Sequence, residues 1–318
     1  MTLDTKKLQQ IIKIAKMHYE LHYSQLEIAK EEGMSKSTVS RLLKTAMDEG
    51  IIEVRIKESI LMNSSLESDL LARFPISRAV LIPDLLGNPQ VLLRDICLAL
   101  AKDLPRYVKN DSIVGVAWGN TMAVLAGHLN KMKRTGVSVI QLTGGFSRAI
   151  YESGALDILR SFVDCTGGTG YQIPAPAMVD TAYLANALKE DSQLRNILDM
   201  AEQCQTAIFS VGNLERPSVL YEMGVISDEE YVDFRQRGAV GDFCSHILDR
   251  NGRILDKELD EIVVGASLET IRKVPNKLLI ACGKEKAEVV SAALTGGLAD
   301  VLYIDVPAAE EIVRMNPM

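Results

Sequence analysis

Residues 24–44 read SQLEIAKEEGMSKSTVSRLLK, a pattern that predicts two short helices joined by a tight turn. Ser24 and Glu27 have the spacing of a capping box, in which each side chain accepts a hydrogen bond from the other residue's backbone amide. The first helix is therefore predicted to begin near Gln25.

The connection between these helices has the spacing of a helix-turn-helix unit. Gly33 favours the left-handed conformation that ends a helix, so the first helix should stop by Glu32 and Ser35 should begin the second. Ala29 is small enough to let the helices cross closely, and Val39 packs back from the second helix. The second helix of such a unit is free to enter the major groove of DNA.

The outer face of the second helix is polar and basic, with no acidic residue between Ser35 and Ala46. Serine, threonine and arginine can hydrogen-bond base edges or phosphates, and lysine neutralises phosphate. An ordinary helical hairpin with a solvated polar face is the alternative, but caps, turn and charge together favour DNA binding. The predicted DNA-binding residues are Gln25, Ser35, Lys36, Ser37, Thr38, Ser40, Arg41 and Lys44.

The flanking segments complete a winged helix-turn-helix domain. Apolar residues at helical spacing predict a supporting helix over 6–22. Alternating apolar and charged residues over 52–58 predict a strand, the wing. His18 and His22 have the i, i+4 spacing of metal ligands, but no third ligand is in view, so surface histidines are favoured and no metal site is predicted.

The length of 318 residues accommodates two domains, predicted as 1–58 and 59–318. The net charge is −7, but residues 1–60 carry ten Lys plus Arg against nine Asp plus Glu, so the acidity belongs to the rest of the chain. DNA binding would then depend on a local basic face.

The five cysteines lie far apart and form no CxxC pair, so neither a zinc site nor a disulfide framework is predicted. The amino terminus has no apolar signal core, and no apolar stretch reaches the ~18 residues of a membrane span. A cytoplasmic protein that binds neither membrane nor cofactor is expected.

From residue 79 the pattern changes to apolar strands that alternate with helices, which predicts a mainly parallel sheet covered on both faces. Residues 247–255 depart from this pattern and predict a hairpin with an Asn-Gly turn. One predicted helix opens at Asn88-Pro89. The predicted strands are 79–82, 112–118, 137–142, 206–211, 277–282 and 300–305.

Ligands of open parallel sheets bind beyond the carboxyl ends of the strands, where four predicted strands here end in glycine turns. Backbone amides, a threonine hydroxyl and a lysine could converge there on an anion. Each turn alone could use glycine only for its geometry. Asp242 could hydrogen-bond sugar hydroxyls, or it could be an ordinary turn or cap residue. The predicted effector-binding residues are Gly119, Asn120, Thr121, Thr143, Gly144, Gly145, Gly212, Asp242, Gly283 and Lys284.

The amino-terminal helix-turn-helix and four downstream motifs together resemble the SorC family of sugar-responsive bacterial transcriptional regulators. The resemblance covers nearly the whole chain. The four motifs are GVAWGNT at 115–121, QLTGG at 141–145, AVGD at 239–242 and CGKEKA at 282–287.

The resemblance implies an α/β effector domain like those of sugar-phosphate isomerases and deaminases, a tetrameric assembly, and a response to phosphorylated sugars. It implies phosphate contacts around 119–121, around 143–145 and at Lys284. Some members have a lysine before the Gly-Gly pair that forms a Schiff base with an aldehyde sugar. Thr143 stands at that position here, so covalent capture is not implied.

Two functions of different classes follow. The leading hypothesis is a transcription factor that binds operator DNA as a homo-oligomer, a dimer or tetramer, under control of a phosphorylated sugar. The alternative is a sugar-phosphate isomerase or deaminase with a DNA-binding appendage. Catalysis would need a positioned acid or histidine, and the chain has four histidines, none of them in the turns at 119–121 and 143–147. No catalytic residue is therefore predicted.

Overall fold

The computed structural model describes residues 5–52, 64–145, 147–148, 151–152, 154–214 and 226–317. The chain divides into two units, Met1–Leu61 and Met62–Met318. The wing strand predicted for 52–58 lies, beyond Ile52, outside the described residues, and so does the predicted domain boundary at 58.

The first unit contains helices α1 (Thr5–Tyr19), α2 (Gln25–Glu31) and α3 (Lys36–Asp48). The capping box forms as predicted. The Ser24 hydroxyl accepts a hydrogen bond from the Glu27 amide at 3.3 Å, and the Glu27 carboxylate accepts one from the Ser24 amide at 2.8 Å. These bonds satisfy two amides that the first turn of a helix otherwise leaves without partners.

The helix-turn-helix of the first unit is confirmed. Gly33 adopts φ +64° at the turn, the conformation that glycine tolerates best. Ala29 and Val39 are buried where the two helices meet, in one apolar cluster with residues of α1 such as Ile11 and Ile14. Burial of this shared cluster stabilises helices that would be marginal alone.

Helix α1 ends at Tyr19, earlier than the predicted residue 22. His22 adopts φ +59°, a left-handed conformation that an α-helix cannot continue through. The Nδ1 atom of His18 lies 2.8 Å from the carbonyl oxygen of Tyr23. His18 and His22 therefore do not share one helix face, and the metal-ligand spacing has no structural counterpart.

The second unit alternates strands and helices. Its strands are β1 (Arg78–Ile82), β2 (Ile113–Val116), β3 (Ser138–Gln141), β4 (Ser147–Arg148), β5 (Tyr151–Glu152), β6 (Thr169–Tyr171), β7 (Thr206–Phe209), β8 (Val211–Asn213), β9 (Ala239–Phe243), β10 (His246–Asp249), β11 (Asn276–Ile280) and β12 (Val301–Asp305). Its helices are α4 (Ser64–Arg73), α5 (Pro89–Asp103), α6 (Asn120–Ala126), α7 (Ala155–Thr166), α8 (Ala182–Glu190), α9 (Ser192–Glu202), α10 (Asp228–Gln236), α11 (Lys257–Glu261), α12 (Leu268–Lys273), α13 (Ala287–Thr295) and α14 (Val306–Met315), with 3₁₀ turns at Leu104–Arg106 and Lys284–Lys286.

Seven strands form one parallel sheet in the order β1-β12-β11-β7-β2-β3-β6. The mainly parallel α/β fold is confirmed, and all six predicted strands occur, most with shorter ends. Strand β6 was not predicted, because its central Gly170 and exposed neighbours lack the apolar signal of a buried strand. It lies at the edge of the sheet, and its partner among the described strands is β3.

Helices cover both faces of this sheet. One apolar cluster joins the sheet to α5, α6 and α7, with Phe162 and Tyr303 among its fully buried side chains. The other joins the opposite face to α4, α9, α13 and α14. Helix α5 begins as predicted, since the Asn88 side chain accepts hydrogen bonds from the amides of Gln90 and Val91. Within the described ranges, no helix has the length and apolar character needed to cross a membrane.

A smaller antiparallel sheet, β10-β9-β8, follows β7 and lies beside the carboxyl edge of the large sheet. The hairpin predicted at 247–255 exists in short form, as one bridge between Leu248 and Ile254 and a turn in which Gly252 has φ +68°. Strands β8 and β9 were not predicted as a sheet.

Candidate functional site

The outer side of α3, which carries most of the predicted DNA-binding residues, is exposed. Val39, Leu42, Leu43 and Ala46 are buried at helical spacing, and this leaves the polar residues between them outside. The predicted DNA-binding residues that are exposed are Ser35, Lys36, Ser37, Ser40, Arg41 and Lys44, and those that are half-buried are Gln25 and Thr38.

Ser35 caps α3, because its hydroxyl accepts a hydrogen bond from the Thr38 amide at 3.1 Å. The same oxygen lies 2.8 Å from the hydroxyls of both Ser37 and Thr38. Three hydroxyls therefore meet at the amino end of α3, where the helix dipole favours a phosphate. Arg41 and Lys44 lie further along the exposed face.

In the second unit, a cavity of about 180 Å³ lies at the carboxyl edge of the parallel sheet. The strands β11, β7, β2 and β3 are consecutive neighbours in the sheet, and each is followed by a connection at this edge. Gly212, predicted to lie in a turn after the strand at 206–211, lies instead in β8, where it pairs with Asp242. Residues from all four connections and from β9 line the cavity: Ala117, Trp118, Gly119, Asn120, Thr121, Thr143, Ser210, Val211, Gly212, Asn213, Asp242, Cys244, Ser245 and Lys286.

Six of the ten predicted effector residues line this cavity, namely Gly119, Asn120, Thr121, Thr143, Gly212 and Asp242. The structure does not bring the other four to it. Three of those four are glycines, and the fourth is Lys284.

The backbone amides of the three remote glycines already have partners. Gly144 donates to the carbonyl of Val264 at 3.0 Å, and Gly145 donates to the carbonyl of Ala175 at 3.2 Å. Gly283 donates to the carboxylate of Asp305 at 2.7 Å. A Cβ atom at Gly144 would lie 2.3 Å from the Ala175 carbonyl oxygen, so this glycine permits close backbone packing. The sequence analysis expected backbone amides of these turns to bind an anion, but these three amides bind protein oxygens instead.

The lysine at the cavity is Lys286, not Lys284. Lys284 is exposed, whereas Lys286 lies two residues further along the 3₁₀ turn and directs its Nζ atom to 3.4 Å from the Thr121 hydroxyl. Burial lowers the pKa of the Lys286 ammonium, an effect that the nearby carboxylates of Glu285 and Asp242 partly offset. The prediction that Lys284 lies at the site is therefore corrected, and Lys286 is the lysine that lines the cavity.

Asp242 supplies a carboxylate to the same cavity. It pairs with Gly212 across β8 and β9, and a Cβ atom at Gly212 would lie 2.0 Å from an Asp242 carboxylate oxygen. Asp242 is partly accessible through the cavity, yet the surrounding protein desolvates it and raises its pKa to about 6. A hydrogen bond from the Ser245 amide and the charge of Lys286 oppose this rise.

Thr143 is buried at the wall of the cavity, and its hydroxyl accepts a hydrogen bond from the Trp118 indole nitrogen at 2.8 Å. This bond holds the end of β3 against the turn after β2. The lining residues outside the predicted set are Ala117, Trp118, Ser210, Val211, Asn213, Cys244, Ser245 and Lys286. Ala117, Trp118 and Lys286 fall within the motifs quoted above, but no sequence signal distinguishes the two serines from other turn residues.

Each of the two units matches a known protein family model. Residues 58–314 match the family model of a sugar-binding domain, Sugar-bind, and residues 22–53 match a winged helix-turn-helix DNA-binding model. The chain is 30% identical over 316 residues to the deoxyribonucleoside regulator of Bacillus subtilis (strain 168), which covers 98% of this chain and 99% of that protein.

The chain belongs to the SorC family of sugar-binding transcriptional regulators. It is 26% identical to the sorbitol operon regulator of Klebsiella pneumoniae, over 96% of this chain and 97% of that one. The fold of this SorC family protein matches the crystal structure of the full-length regulator SorC from Klebsiella pneumoniae with a TM-score of 0.78 at 24% identity, over 98% of this chain and 100% of that one. It is a DNA-binding transcriptional regulator with a sugar-binding domain.

The raised pKa of Asp242 predicts a pH-dependent stability. The native carboxyl, with a pKa of about 6, holds its proton more tightly than an unfolded one at 3.8. Its contribution to stability is therefore present at low pH and is lost as the pH rises from about 4 through about 6. Asp242→Asn should be more stable than the unmodified protein at pH 8, by about 1–3 kcal/mol, and this advantage should shrink toward pH 4.

Urea unfolding at a series of pH values measures this difference. Asp157→Asn is the control, because Asp157 is exposed on α7 and its side chain is 71% accessible. The control should change stability little at any pH. A variant Asp242→Asn that is less stable than the unmodified protein at pH 8 would contradict the prediction.

Proposed function

We propose that this SorC family protein is a cytoplasmic regulator whose binding to double-stranded operator DNA is controlled by a phosphorylated sugar, in a carbohydrate-catabolic operon. The observation that carries the proposal is the cavity in which Lys286 and the Thr121 hydroxyl lie side by side. The relatives' names, which refer to a deoxyribonucleoside and to a sorbitol operon, support an effector of sugar type.

Lys286 and Thr121 suit the phosphate group. An ammonium in a partly desolvated site attracts a dianion more strongly than one in water, because the local dielectric constant is lower. Thr121 lies in the first turn of α6, and its hydroxyl can donate to a phosphate oxygen. Gly119 has φ +123° and leaves open space beside its backbone, so an oxygen can approach it closely.

Binding rather than catalysis is the proposed role of this cavity. Among its described lining residues, Asp242 is the one carboxylate and no histidine is present. General acid–base chemistry on a sugar phosphate usually employs separate groups to remove and to return protons. Turnover of sugar phosphates above background by the purified protein would contradict this role.

The effector can act on DNA binding only through different affinities for two arrangements of the protein. The cavity is lined by connections that open α6 and precede α13, so a bound phosphate would draw these helices together. A coupling of about 1–3 kcal/mol is typical of such regulators.

A homo-oligomer, dimer or tetramer, is the proposed functional state. One helix-turn-helix reads only a few base pairs, and two of them on a shared assembly read two half-sites at a defined spacing. Light scattering at micromolar concentration should therefore give at least twice the mass of the 34.9 kDa chain. A monomeric mass would contradict the proposal.

Arg41→Ala should weaken operator binding and relax its base preference, because arginine is shaped for bidentate contact with guanine. The expected loss is about 1–3 kcal/mol, or roughly five- to 150-fold in affinity. Lys44→Ala should weaken binding to all sequences alike. Gel-shift titration at moderate salt, with operator and scrambled DNA, separates the two effects.

Arg160→Ala is the matched control for Arg41→Ala, because Arg160 is an exposed arginine of the second unit on α7. It should leave both DNAs bound as before. Unchanged affinity and unchanged preference for Arg41→Ala would show that α3 does not read the operator.

Lys286→Gln should raise the effector concentration needed for the DNA response by at least about tenfold, since it removes the cation from the cavity. Lys284→Gln is the matched control two residues away, outside the cavity, and should respond normally. Both should retain operator affinity without effector. Titrations with glucose 6-phosphate, fructose 6-phosphate and ribose 5-phosphate, read by thermal shift and gel shift, measure this. Loss of response with Lys284→Gln alone would place the phosphate site elsewhere.

A further inference from the structure

Of the four histidines of the chain, all of which the structure describes, His246 is the one that is buried, with 4% of its side chain exposed. It begins β10, where it pairs with Phe243 of β9. Its Nδ1 atom lies 2.5 Å from a carboxylate oxygen of Asp260 in α11, and its Nε2 atom lies 3.1 Å from the carbonyl oxygen of Ala266. Both ring nitrogens therefore face oxygen atoms.

These two contacts determine how many protons the ring and the carboxyl group hold together. A carbonyl oxygen only accepts hydrogen bonds, so Nε2 must carry a hydrogen to bond Ala266. A hydrogen must also lie between Nδ1 and the Asp260 oxygen, because two lone pairs at 2.5 Å would repel each other. A neutral imidazole has one N–H, and an ionised carboxylate has none. The pair therefore holds one proton more than those two groups do separately, and imidazole, the stronger base, carries it.

The contact with Ala266 connects the His246 ring to one wall of the effector cavity. Gly265, the residue before Ala266, forms an antiparallel bridge with Thr143 at the end of β3. The Thr143 hydroxyl in turn accepts the hydrogen bond of the Trp118 indole at 2.8 Å. Thr143 and Trp118 both line the cavity, so the ring is two contacts away from its lining.

The backbone of His246 belongs to another part of the lining, the hairpin of β9 and β10. Its connection, Cys244 and Ser245, lines the cavity together with Asp242 of β9. The Ser245 amide donates to the Asp242 carboxylate at 3.3 Å. His246 follows this connection directly. One side chain thus joins the hairpin that carries Asp242 to the segment that pairs with Thr143.

We propose that His246 is a proton-dependent positioning residue of the effector cavity, and that its deprotonation weakens the binding of effector. The proposal rests on the proposed function, because it concerns how the cavity is held in shape for its ligand. When the imidazolium loses a proton to the solvent, one N–H remains for two acceptors. The hydrogen bond to the ionised Asp260 is the stronger of the two, because its acceptor is charged. The Nε2 lone pair then faces the Ala266 carbonyl, and the link to the Thr143 wall is lost.

Two other elements present charged groups to this pair. Burial raises the pKa of Asp242 in β9, and the charge of His246 is among the effects that oppose the rise. Burial lowers the pKa of Lys189 in α8, and the charge of Asp260 is the largest of the effects that oppose the lowering. Two carboxylates therefore attract the positive charge of the ring, while Lys189 competes for one of them.

The remaining neighbours of β10 direct their charges elsewhere. Glu288 of α13 accepts a hydrogen bond from Arg250, beyond the carboxyl end of β10, at 3.1 Å. Segment 262–267 has no charged residue. Lys286 acts on Asp242 from the cavity. Asp242 is thus the other group whose titration can act on the same lining, and the experiment has to separate the two.

Nuclear magnetic resonance of the full chain labelled with nitrogen-15 histidine counts the protons on the ring without any ligand. At pH 7 the His246 ring should show two N–H groups. His246→Gln identifies its signals by their absence. A neutral His246 ring at pH 7, with one nitrogen unprotonated, would overturn the proposal.

Trp118 reports the position of the cavity wall, because it is the single tryptophan of the chain and lines the cavity. Its fluorescence, followed from pH 5 to pH 9 without ligand, should change with the same midpoint as the His246 signals. His246→Gln should abolish this change, because glutamine does not titrate. A change that persists unaltered in His246→Gln belongs to Asp242 and would contradict the positioning role.

Two substitutions separate the two contacts of the ring. His246→Gln places an amide N–H near the position of Nε2 and can keep the bond to Ala266, whereas His246→Asn places one near Nδ1 and can keep the bond to Asp260. Calorimetry with glucose 6-phosphate, fructose 6-phosphate and ribose 5-phosphate measures effector affinity. His246→Asn should bind the best of these about three- to tenfold more weakly than His246→Gln at every pH.

The unmodified protein should match His246→Gln at pH 6 and bind about three- to tenfold more weakly than that variant at pH 8.5. The ionisation of the ligand and of Asp242 is common to both proteins and cancels in this ratio. His128→Gln is the matched control, because His128 is a half-buried histidine of the same unit outside the cavity. It should follow the unmodified protein at every pH.

Each outcome distinguishes this proposal from the proposed function. A ratio between the unmodified protein and His246→Gln that stays constant with pH would overturn the role of the proton. If none of the three sugar phosphates binds, while the resonance and fluorescence measurements follow the expected course, the phosphorylated effector is overturned and the positioning of the cavity by His246 is supported.

Discussion

The pairing of Gly212 with Asp242 is the contact on which the cavity of this protein depends. The two residues face each other across β8 and β9, and a Cβ atom at position 212 would lie 2.0 Å from an Asp242 carboxylate oxygen. The pairing belongs to the antiparallel sheet, which Ser210 connects to β7 of the parallel sheet. It also sets a carboxylate beside the lysine that follows β11, which no single stretch of sequence could arrange.

Burial in the fold shifts the pKa values of the two charged residues at this cavity, Asp242 and Lys286. Desolvation raises the pKa of Asp242 and lowers that of Lys286, and the attraction between the two partly offsets each shift. Neither group reaches full hydration within the protein.

The two units place their polar groups differently. The first presents charged and hydroxyl side chains on an exposed helix, where DNA phosphates and base edges can reach them. The second has polar side chains such as those of Thr121, Asp242 and Lys286 in a cavity of about 180 Å³, which is too small to admit a macromolecule. The acidic balance of the second unit also limits indiscriminate attraction to DNA, because nonspecific affinity rises with the number of phosphates neutralised.

The sequence by itself determined the helix-turn-helix, because caps, turn glycine and apolar spacing act within 21 consecutive residues and need no distant partner. It also determined the strand count of the central sheet nearly completely, since buried parallel strands are continuous apolar runs. The edge strand β6 was missed, because an exposed edge does not require apolar residues. The tertiary structure decided which polar groups share the cavity. Lys284 and Lys286 lie two residues apart in the same motif, and only the folded 3₁₀ turn places the second one, with its Nζ atom 3.4 Å from the Thr121 hydroxyl, at the cavity. The amides of Gly144 and Gly145 donate to the carbonyls of Val264 and Ala175, which are distant in the sequence, so local patterns do not encode these contacts.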